Sequence, residues 1–134
     1  MRGVSITGFD QRHVLKVDLA DILAAVGDAV EASTWALSGV EVLGGTDAEE
    51  LQRLSDERRT IDGKSLALRA RNVSQVMEGE FRAFRGAEES PWLVIYAVDS
   101  SGYDVLTDDD ELLGRLRAKF QDVRELPEFL YGST

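Results

Sequence analysis

The chain has 134 residues, of which 43% are hydrophobic and 30% are charged. This length suits one domain and the composition is that of a soluble globular protein, so we expect a single domain over residues 1–134. The 15 Lys and Arg residues against 25 Asp and Glu residues give a net charge of -10, which argues against nucleic-acid binding by phosphate neutralisation. With no cysteine and one histidine, we expect no disulfide, no Cys/His metal site and no cofactor.

The sequence shows neither a secretory signal nor a membrane span. The first residues contain no uninterrupted apolar stretch of the kind a signal needs, about 7–15 residues. The longest apolar run is Trp92–Val98, whereas a membrane-spanning helix needs about 20 residues. We therefore expect a cytoplasmic protein that does not associate with a membrane.

Two short segments near the start of the chain have strand character. Val4 and Ile6 alternate with other residues and predict a strand over 3–9, and the apolar residues of 13–17 predict another. Residues 10–12 would then join the two strands as a hairpin.

The next segment is predicted to form a helix followed by a strand. Apolar residues recur at helical spacing after Asp18, which predicts an amphipathic helix over 19–31 with Asp18 as its N-cap. The β-branched and aromatic residues of 34–43 predict a strand. Gly44 and Gly45 are expected to end it.

Two further helices are predicted in the middle of the chain. Thr46 and Glu49 have the spacing of a capping box, so a helix is expected over 47–58. Asp62 is the expected N-cap of another helix, over 63–73.

The start of that helix shares three residues with a phosphate-binding loop. Gly63, Lys64 and Ser65 match the end of the loop motif, in which backbone N–H groups hold phosphates. The motif needs a glycine five residues before Gly63, where this chain has Arg58, and no strand is predicted to lead into the turn. We therefore interpret the three residues as a helix start capped by Asp62.

The second half of the chain is predicted to contain two longer strands. Alternation of apolar and charged residues predicts a half-buried strand over 75–85, with Glu78 and Glu80 on its polar face. We interpret this pair as solvated sheet surface rather than as the two carboxylates of a glycoside hydrolase. Residues 92–98 are apolar throughout, so we expect a strand covered by helices on one face and by a second layer or another subunit on the other.

A hairpin and a last helix are predicted next. Asp99–Gly102 suits a type I turn that joins the apolar strand to a short strand over 103–107. Asp108 and Glu111 have capping-box spacing and predict a helix over 109–121.

The tail of the chain is too apolar to stay in solvent, and we expect it to dock onto the fold. Its apolar and aromatic residues are Leu126, Phe129, Leu130 and Tyr131. Together, the elements predict an α+β fold with a mainly antiparallel sheet of about five or six strands packed against three or four helices.

The segment around the predicted hairpin and last helix is rich in carboxylates. Its spacing does not match a calcium loop, because the invariant glycine position falls on Asp104 when Asp99 is taken as the first ligand. Turn and helix-cap roles account for much of this pattern. We also predict that the acids form a surface for a protein partner; they are Asp99, Asp104, Asp108, Asp109, Asp110 and Glu111.

Charge is unevenly distributed along the chain. The net charge is -6 over residues 1–51, +3 over 52–85 and -7 over 86–134, which together make the total of -10. If the helices predicted over 47–58 and 63–73 lie side by side, their basic residues form a positive patch. The residues concerned are Arg53, Arg58, Arg59, Lys64, Arg69 and Arg71.

Four functional hypotheses follow. The first is a non-catalytic interaction or regulatory domain whose acidic surface binds a basic partner protein, as in toxin-neutralising or inhibitor proteins of similar size and acidity. The second is a homodimer held by the apolar strand and the aromatic tail. The third is an enzyme with a carboxylate and Mg²⁺ centre at Asp99 and Asp104, and the fourth is a ligand-binding domain with a pocket between sheet and helices.

Overall fold

Seven strands and four helices make up the part of the chain that the computed structural model describes, which is residues 1–8, 17–127 and 131. The strands are β1 (Arg2–Thr7), β2 (Thr34–Gly45), β3 (Thr60–Asp62), β4 (Val73–Phe84), β5 (Leu93–Val98), β6 (Gly102–Thr107) and β7 (Asp122–Glu125). The helices are α1 (Leu19–Val26), α2 (Ala48–Asp56), α3 (Gly63–Ala70) and α4 (Asp110–Lys119), with a 3-10 helix (Gly27–Val30) after α1. None of these helices is long and apolar enough to cross a membrane.

All seven strands form one antiparallel sheet in the order β3-β2-β4-β5-β6-β1-β7. The predicted α+β fold with a mainly antiparallel sheet is confirmed, with four helices and slightly more strands than expected. The strands that the sequence did not predict are the two edge strands, β3 with 3 residues and β7 with 4 residues. Strands this short hold too few residues to show a period-two pattern.

The first strand, β1, lies inside the sheet and pairs with β6 on one side and β7 on the other. The predicted hairpin between 3–9 and 13–17 is therefore wrong for the part of it that the structure describes. Val4 and Ile6 are fully buried, and an interior strand needs partners on both of its edges, which β6 and β7 provide. Residues 9–16, which contain the predicted connection, lie outside the described residues.

Helix α1 begins where the sequence predicts. The Asp18 carboxylate accepts a hydrogen bond from the Asp21 N–H at 3.0 Å, and the Asp21 carboxylate accepts one from the Asp18 N–H at 3.0 Å. This reciprocal pair satisfies two backbone donors of the first turn. The α-helix ends before the predicted residue 31, because Gly27 has a positive φ of 86° and leads the chain into the 3-10 helix.

The capping box predicted from Thr46 and Glu49 is not formed. Asp47 precedes α2, and its carboxylate instead accepts hydrogen bonds from Arg69 Nη1 and Asn72 Nδ2, each at 2.9 Å. Asp47 therefore contacts the end of α3 instead of capping α2. The sequence of α2 alone does not reveal this contact.

The cap of α4 is displaced by one residue from the prediction. The N-cap is Asp109 and not Asp108, and the Asp109 Oδ1 accepts a hydrogen bond from the Leu112 N–H at 3.1 Å. The Asp109 N–H in turn donates to the hydroxyl of the buried Thr107 at 3.2 Å. The end of β6 thus determines which of the adjacent aspartates caps the helix.

The predicted hairpin of β5 and β6 is confirmed, but its turn is not type I. The turn is closed by a hydrogen bond from the Ser101 N–H to the Val98 C=O at 2.7 Å. Its central residues, Asp99 and Ser100, have φ values of 44° and 57°, as in type I′ turns, whose twist matches that of paired strands. Gly102 therefore begins β6 instead of closing the turn.

One core cluster lies between the sheet and the helices. Its fully buried strand residues include Val4, Ile6, Trp35, Phe81, Leu93, Ile95, Tyr103 and Val105. Its buried helix residues include Leu19, Ile22, Leu23, Leu51, Leu54, Leu66, Leu112, Leu113 and Leu116. All four helices thus bury their apolar residues in the same cluster, and the opposite face of the sheet is built by other side chains.

Helices α2 and α3 do not pack side by side, so the arrangement assumed for a positive patch is not found. α3 packs against α1, and α2 packs along β2. There, the Ser55 Oγ accepts a hydrogen bond from the Val40 N–H at 3.0 Å, and the Gln52 Oε1 accepts one from the Val42 N–H at 2.8 Å. These bonds satisfy backbone donors along the edge of β2, which would otherwise be open to another strand.

Gly63 lies where α3 approaches the preceding backbone most closely. β3 leads directly into α3, contrary to the prediction that no strand precedes this glycine. Asp62 is the N-cap, as predicted, and accepts a hydrogen bond from the Ser65 N–H at 3.0 Å. A Cβ atom at position 63 would lie 1.6 Å from the Val30 O. This close packing accounts for the glycine.

Substitution of Gly63 is expected to destabilise the fold, and substitution of Gly114 is expected to stabilise it. Gly63→Ala places a methyl group inside the Val30 backbone and should cost about 3 kcal/mol or more. Gly114 lies in α4 with no atom within 4 Å of an added Cβ, so Gly114→Ala should gain about 0.5–1 kcal/mol. Urea unfolding measures both, and a neutral Gly63→Ala variant would contradict the close packing.

Candidate functional site

The face of the sheet that points away from the helices carries a row of polar side chains. Across five strands, each residue lies opposite the next in the order Ser38, Glu80, Tyr96, Asp104 and Ser5. These positions alternate with core residues, because successive side chains of a strand point to opposite faces. We call the surface formed by Ser38, Glu78, Glu80, Arg82, Tyr96, Asp104 and Tyr131 the helix-free face.

Glu80 lies near the centre of the helix-free face and is held by groups from three strands. Its Oε2 accepts a hydrogen bond from the Ser38 Oγ at 3.2 Å, and its Oε1 accepts one from the Tyr96 hydroxyl at 3.3 Å. The Arg82 Nε lies 3.8 Å from the same Oε1. These contacts therefore hold the Glu80 carboxylate in one orientation.

Tyr131 covers the middle of the helix-free face. Its ring stacks on the ring of Tyr96, with 4.3 Å between centroids and 14° between planes. Its hydroxyl donates a hydrogen bond to the Asp104 Oδ2. Asp104 is 7% exposed, and a buried carboxylate is costly unless donors satisfy it. Tyr131 thus supplies a donor that Asp104 needs.

The phenols of Tyr96 and Tyr131 both have raised pKa values. Burial is the main cause for both, and a carboxylate adds to it, Glu80 for Tyr96 and Asp104 for Tyr131. Both phenols therefore keep their protons at neutral pH and remain donors to the two carboxylates.

Two depressions flank Tyr131, each with a volume of about 390 Å³. The first contains Glu78 and the second contains Arg82. Glu80, Tyr96 and Tyr131 line both depressions. Tyr131 thus lies between two depressions whose linings have only Glu80 and Tyr96 in common besides Tyr131 itself.

The charge of the helix-free face is negative. Three carboxylates, those of Glu78, Glu80 and Asp104, face one guanidinium, that of Arg82, which leaves a net charge of -2 when all four groups are ionised. Carboxylates beside aromatic rings attract cations, and a planar cation can both stack on the ring and donate to the carboxylate.

The six acids predicted to bind a partner do not form one surface. Asp99 lies in the turn before β6, and residues 108–111 follow the end of β6; a strand of this length spans roughly 20 Å. Asp104 lies between them on the helix-free face, and Asp108 reaches the rim of the second depression. The structure therefore brings one of the six acids, Asp104, to the helix-free face and a second, Asp108, to its rim.

The acids at the start of α4 have local contacts. Asp109 caps the helix, Asp110 pairs with Arg2, and the Asp108 Oδ1 lies 3.5 Å from the Met1 nitrogen. Glu111 is exposed in the first turn of α4, where negative charge favours the helix dipole. A partner-binding role for these residues stays a prediction.

No group of three His, Cys, Asp or Glu side chains among residues 1–8, 17–127 and 131 is placed to hold a metal ion. Asp99 and Asp104, the residues of the Mg²⁺ hypothesis, occupy the turn and the middle of β6.

A depression between α1 and α3 measures about 190 Å³, which is small compared with ligand sites of about 300–1,000 Å³.

The sequence predicted the common face of the two glutamates of β4 and the docking of the tail, but it did not predict how the tail contacts the helix-free face. Glu78 and Glu80 line the same depression, in agreement with their predicted common face. The predicted docking of the tail is found for Leu126, whose N–H donates to the Gly3 O at 3.0 Å, and for Tyr131. Phe129 and Leu130 lie outside the described residues. The stacking of Tyr131 on Tyr96 was missed, because no local pattern indicates it.

Comparison of the chain with protein-family models, with curated proteins and with solved structures finds no match. Function is therefore inferred from the geometry of the helix-free face.

All three tyrosines of the chain are expected to resist ionisation in the folded protein, because burial raises the pKa of Tyr96, Tyr103 and Tyr131. A phenol whose pKa rises on folding stabilises the folded state below its unfolded pKa of about 10, and this contribution is lost as the pH rises above it. Tyrosinate absorbance in an alkaline titration should appear late and together with unfolding. In urea, all three phenols should titrate near pH 10, within about a unit.

Two variants test whether the Tyr131 phenol is one of those that titrate late. Tyr131→Phe removes one of the late phenols, and Asp104→Asn lowers the pKa of Tyr131, because it removes the carboxylate that disfavours the phenolate. A phenol of the folded protein that titrates near the ordinary pKa, and disappears in Tyr131→Phe, would contradict the contact between Tyr131 and Asp104.

Proposed function

We propose that the chain is a cytoplasmic, non-catalytic interaction domain whose helix-free face binds a basic segment of a partner protein. One observation carries the proposal: three carboxylates, Glu78, Glu80 and Asp104, lie around the stacked rings of Tyr96 and Tyr131 on the face that the helices leave uncovered. This combination of rings and negative charge suits a cationic side chain.

The Glu80 carboxylate of the helix-free face is already oriented in the free protein. Glu80 is oriented by Ser38 and Tyr96, so its carboxylate does not have to be ordered on binding, which favours affinity. Each depression of about 390 Å³ has room for a long side chain. Apart from Tyr131, strands carry all the residues that line the first depression, and strands hold side chains more rigidly than loops do.

The charge of the whole chain supports the same kind of partner. The net charge of -10 attracts a basic protein over distance and speeds association. Residues 86–114 contain eight acids and no Lys or Arg, and they include β5 and β6, which carry Tyr96 and Asp104. An acidic domain that binds a basic toxin or enzyme would use charge in this way.

The contacts of β5 support the homodimer hypothesis less than they support an interaction domain that acts as a single chain. Leu93, Ile95 and Ala97 are buried in the core cluster. On the other face, Val94 is 6% exposed and Tyr96 is stacked under Tyr131. The apolar character of β5 is therefore explained within one chain and does not require a second copy.

Three double variants, each of which removes two negative charges, test the proposal with a hexa-arginine peptide as the probe. Glu78→Gln with Glu80→Gln changes the helix-free face, and we expect affinity to fall about tenfold, because two ion pairs of roughly 0.7 kcal/mol each are lost. Asp28→Asn with Glu31→Gln changes exposed acids on the helix side and should change affinity less than about twofold. Calorimetric titration at physiological salt measures the affinities.

The third variant, Asp110→Asn with Glu111→Gln, tests the acids at the start of α4 while it leaves the Asp109 cap in place. A small effect is expected. If this variant loses the affinity and the Glu78 and Glu80 variant does not, the start of α4 is the binding surface and the proposal is wrong. Equal losses in all three variants would mean that net charge alone attracts the peptide, which would also overturn it.

A further inference from the structure

We infer that Tyr131 is an internal competitor: it occupies the position that an arginine side chain of the partner takes, and the partner displaces it. This inference rests on the proposed function, and it adds the chemical identity of the partner's residue and a means by which the chain regulates its own site.

The two contacts of Tyr131 are contacts that a guanidinium can also make. The planar ring stacks on Tyr96 at 4.3 Å and 14°, and the hydroxyl donates to the Asp104 Oδ2. A guanidinium is planar, stacks on aromatic faces and donates to carboxylates, often through two N–H groups at once. The ammonium group of lysine can donate the hydrogen bond and attract the ring, but it has no plane to stack flat on it and so replaces the Tyr131 ring less completely.

A ligand that displaces Tyr131 has to replace the donor to Asp104. Asp104 is 7% exposed with Tyr131 in place and receives the Tyr131 hydroxyl. Departure of Tyr131 opens Asp104 to water, but a ligand that covers the carboxylate again without donating to it leaves it short of a donor, which is unfavourable. A cationic donor compensates for this loss, because charge-assisted hydrogen bonds are stronger than those from a neutral phenol.

The displacement also enlarges the site. Glu80, Tyr96 and Tyr131 line both depressions, so removal of the Tyr131 ring joins the two cavities into one groove over Tyr96. Such a groove can take an arginine together with the chain on either side of it. The closed state, with Tyr131 in place, exposes two smaller cavities instead.

The position of Tyr131 in the chain permits its release. Tyr131 is half-buried, whereas Tyr103 is completely buried in the core. It follows β7, the last strand among the residues that the structure describes, which ends at Glu125, so its departure does not break the described sheet. The contact can therefore open without unfolding of the domain.

The test compares the binding of hexa-arginine and hexa-lysine by the wild-type chain, Tyr131→Ala and Tyr131→Phe. Removal of the competitor should raise the affinity of Tyr131→Ala for hexa-arginine about tenfold, because the site is then open in every molecule. Tyr131→Phe keeps the stacking and loses the hydrogen bond, so its affinity for hexa-arginine should lie between those of the wild-type chain and Tyr131→Ala. The gain for hexa-lysine should be smaller, because an ammonium group covers the freed face of Tyr96 less than a planar guanidinium does.

Release of Tyr131 is measured directly by ¹⁹F NMR of protein that contains 3-fluorotyrosine, with one resonance for each of the 3 tyrosines. The Tyr131 resonance, assigned as the one missing in Tyr131→Phe, should move to the position of an exposed tyrosine when hexa-arginine is added. The Tyr103 resonance should not move, which serves as the internal control for an intact core.

The outcomes separate this inference from the proposed function. If the wild-type chain binds hexa-arginine and Tyr131→Ala binds it equally or more weakly, Tyr131 does not compete, and the inference fails while the proposed function stands. If none of the three chains binds hexa-arginine, the proposed function fails and the inference falls with it. Tyr131→Phe removes only one oxygen atom, so it gives the comparison even if Tyr131→Ala does not fold.

Discussion

A strand sends alternate side chains to opposite faces of its sheet, and in this chain the helices cover one of those faces. The buried residues of all four helices belong to a single core cluster with residues such as Ile95 and Val105. The residues between them, among them Tyr96 and Asp104, therefore point to the other face. No helix of the described part of the chain packs on the helix-free face. Its polar groups are therefore satisfied by side chains of neighbouring strands and by Tyr131.

The solution that the chain adopts links its stability to its proposed function. Glu80 is held by Ser38 and Tyr96, and the buried Asp104 is held by Tyr131. These contacts satisfy the carboxylates in the free protein, and they also define what a ligand must offer, namely a donor with a flat, preferably cationic, surface. In the proposed function, the same negative charge attracts a basic partner over distance and selects one type of side chain locally.

The features that the sequence predicts are those that depend on neighbouring residues. The caps at Asp18 and Asp62 and the hairpin of β5 and β6 were predicted and are found. The turn type and the α4 cap were wrong, because the ladder between paired strands and the buried Thr107 decide between adjacent residues. The order of the strands and the short edge strands had no local signal at all. Of the helix-free face, the common side of Glu78 and Glu80 was predictable, but the Tyr131 contact with Asp104 joins residues 27 positions apart.

Binding at the helix-free face is tested most directly by a map of amide chemical shifts in ¹H–¹⁵N NMR spectra as hexa-arginine is added. We expect the shifts to concentrate on residues that line the helix-free face and its rim, such as Gly39, Gly79, Ala97 and Tyr131, and the shifts of α1 and α3 to remain unchanged. Shifts that concentrate on the first turn of α4, or that spread evenly over the acidic surface, would contradict it.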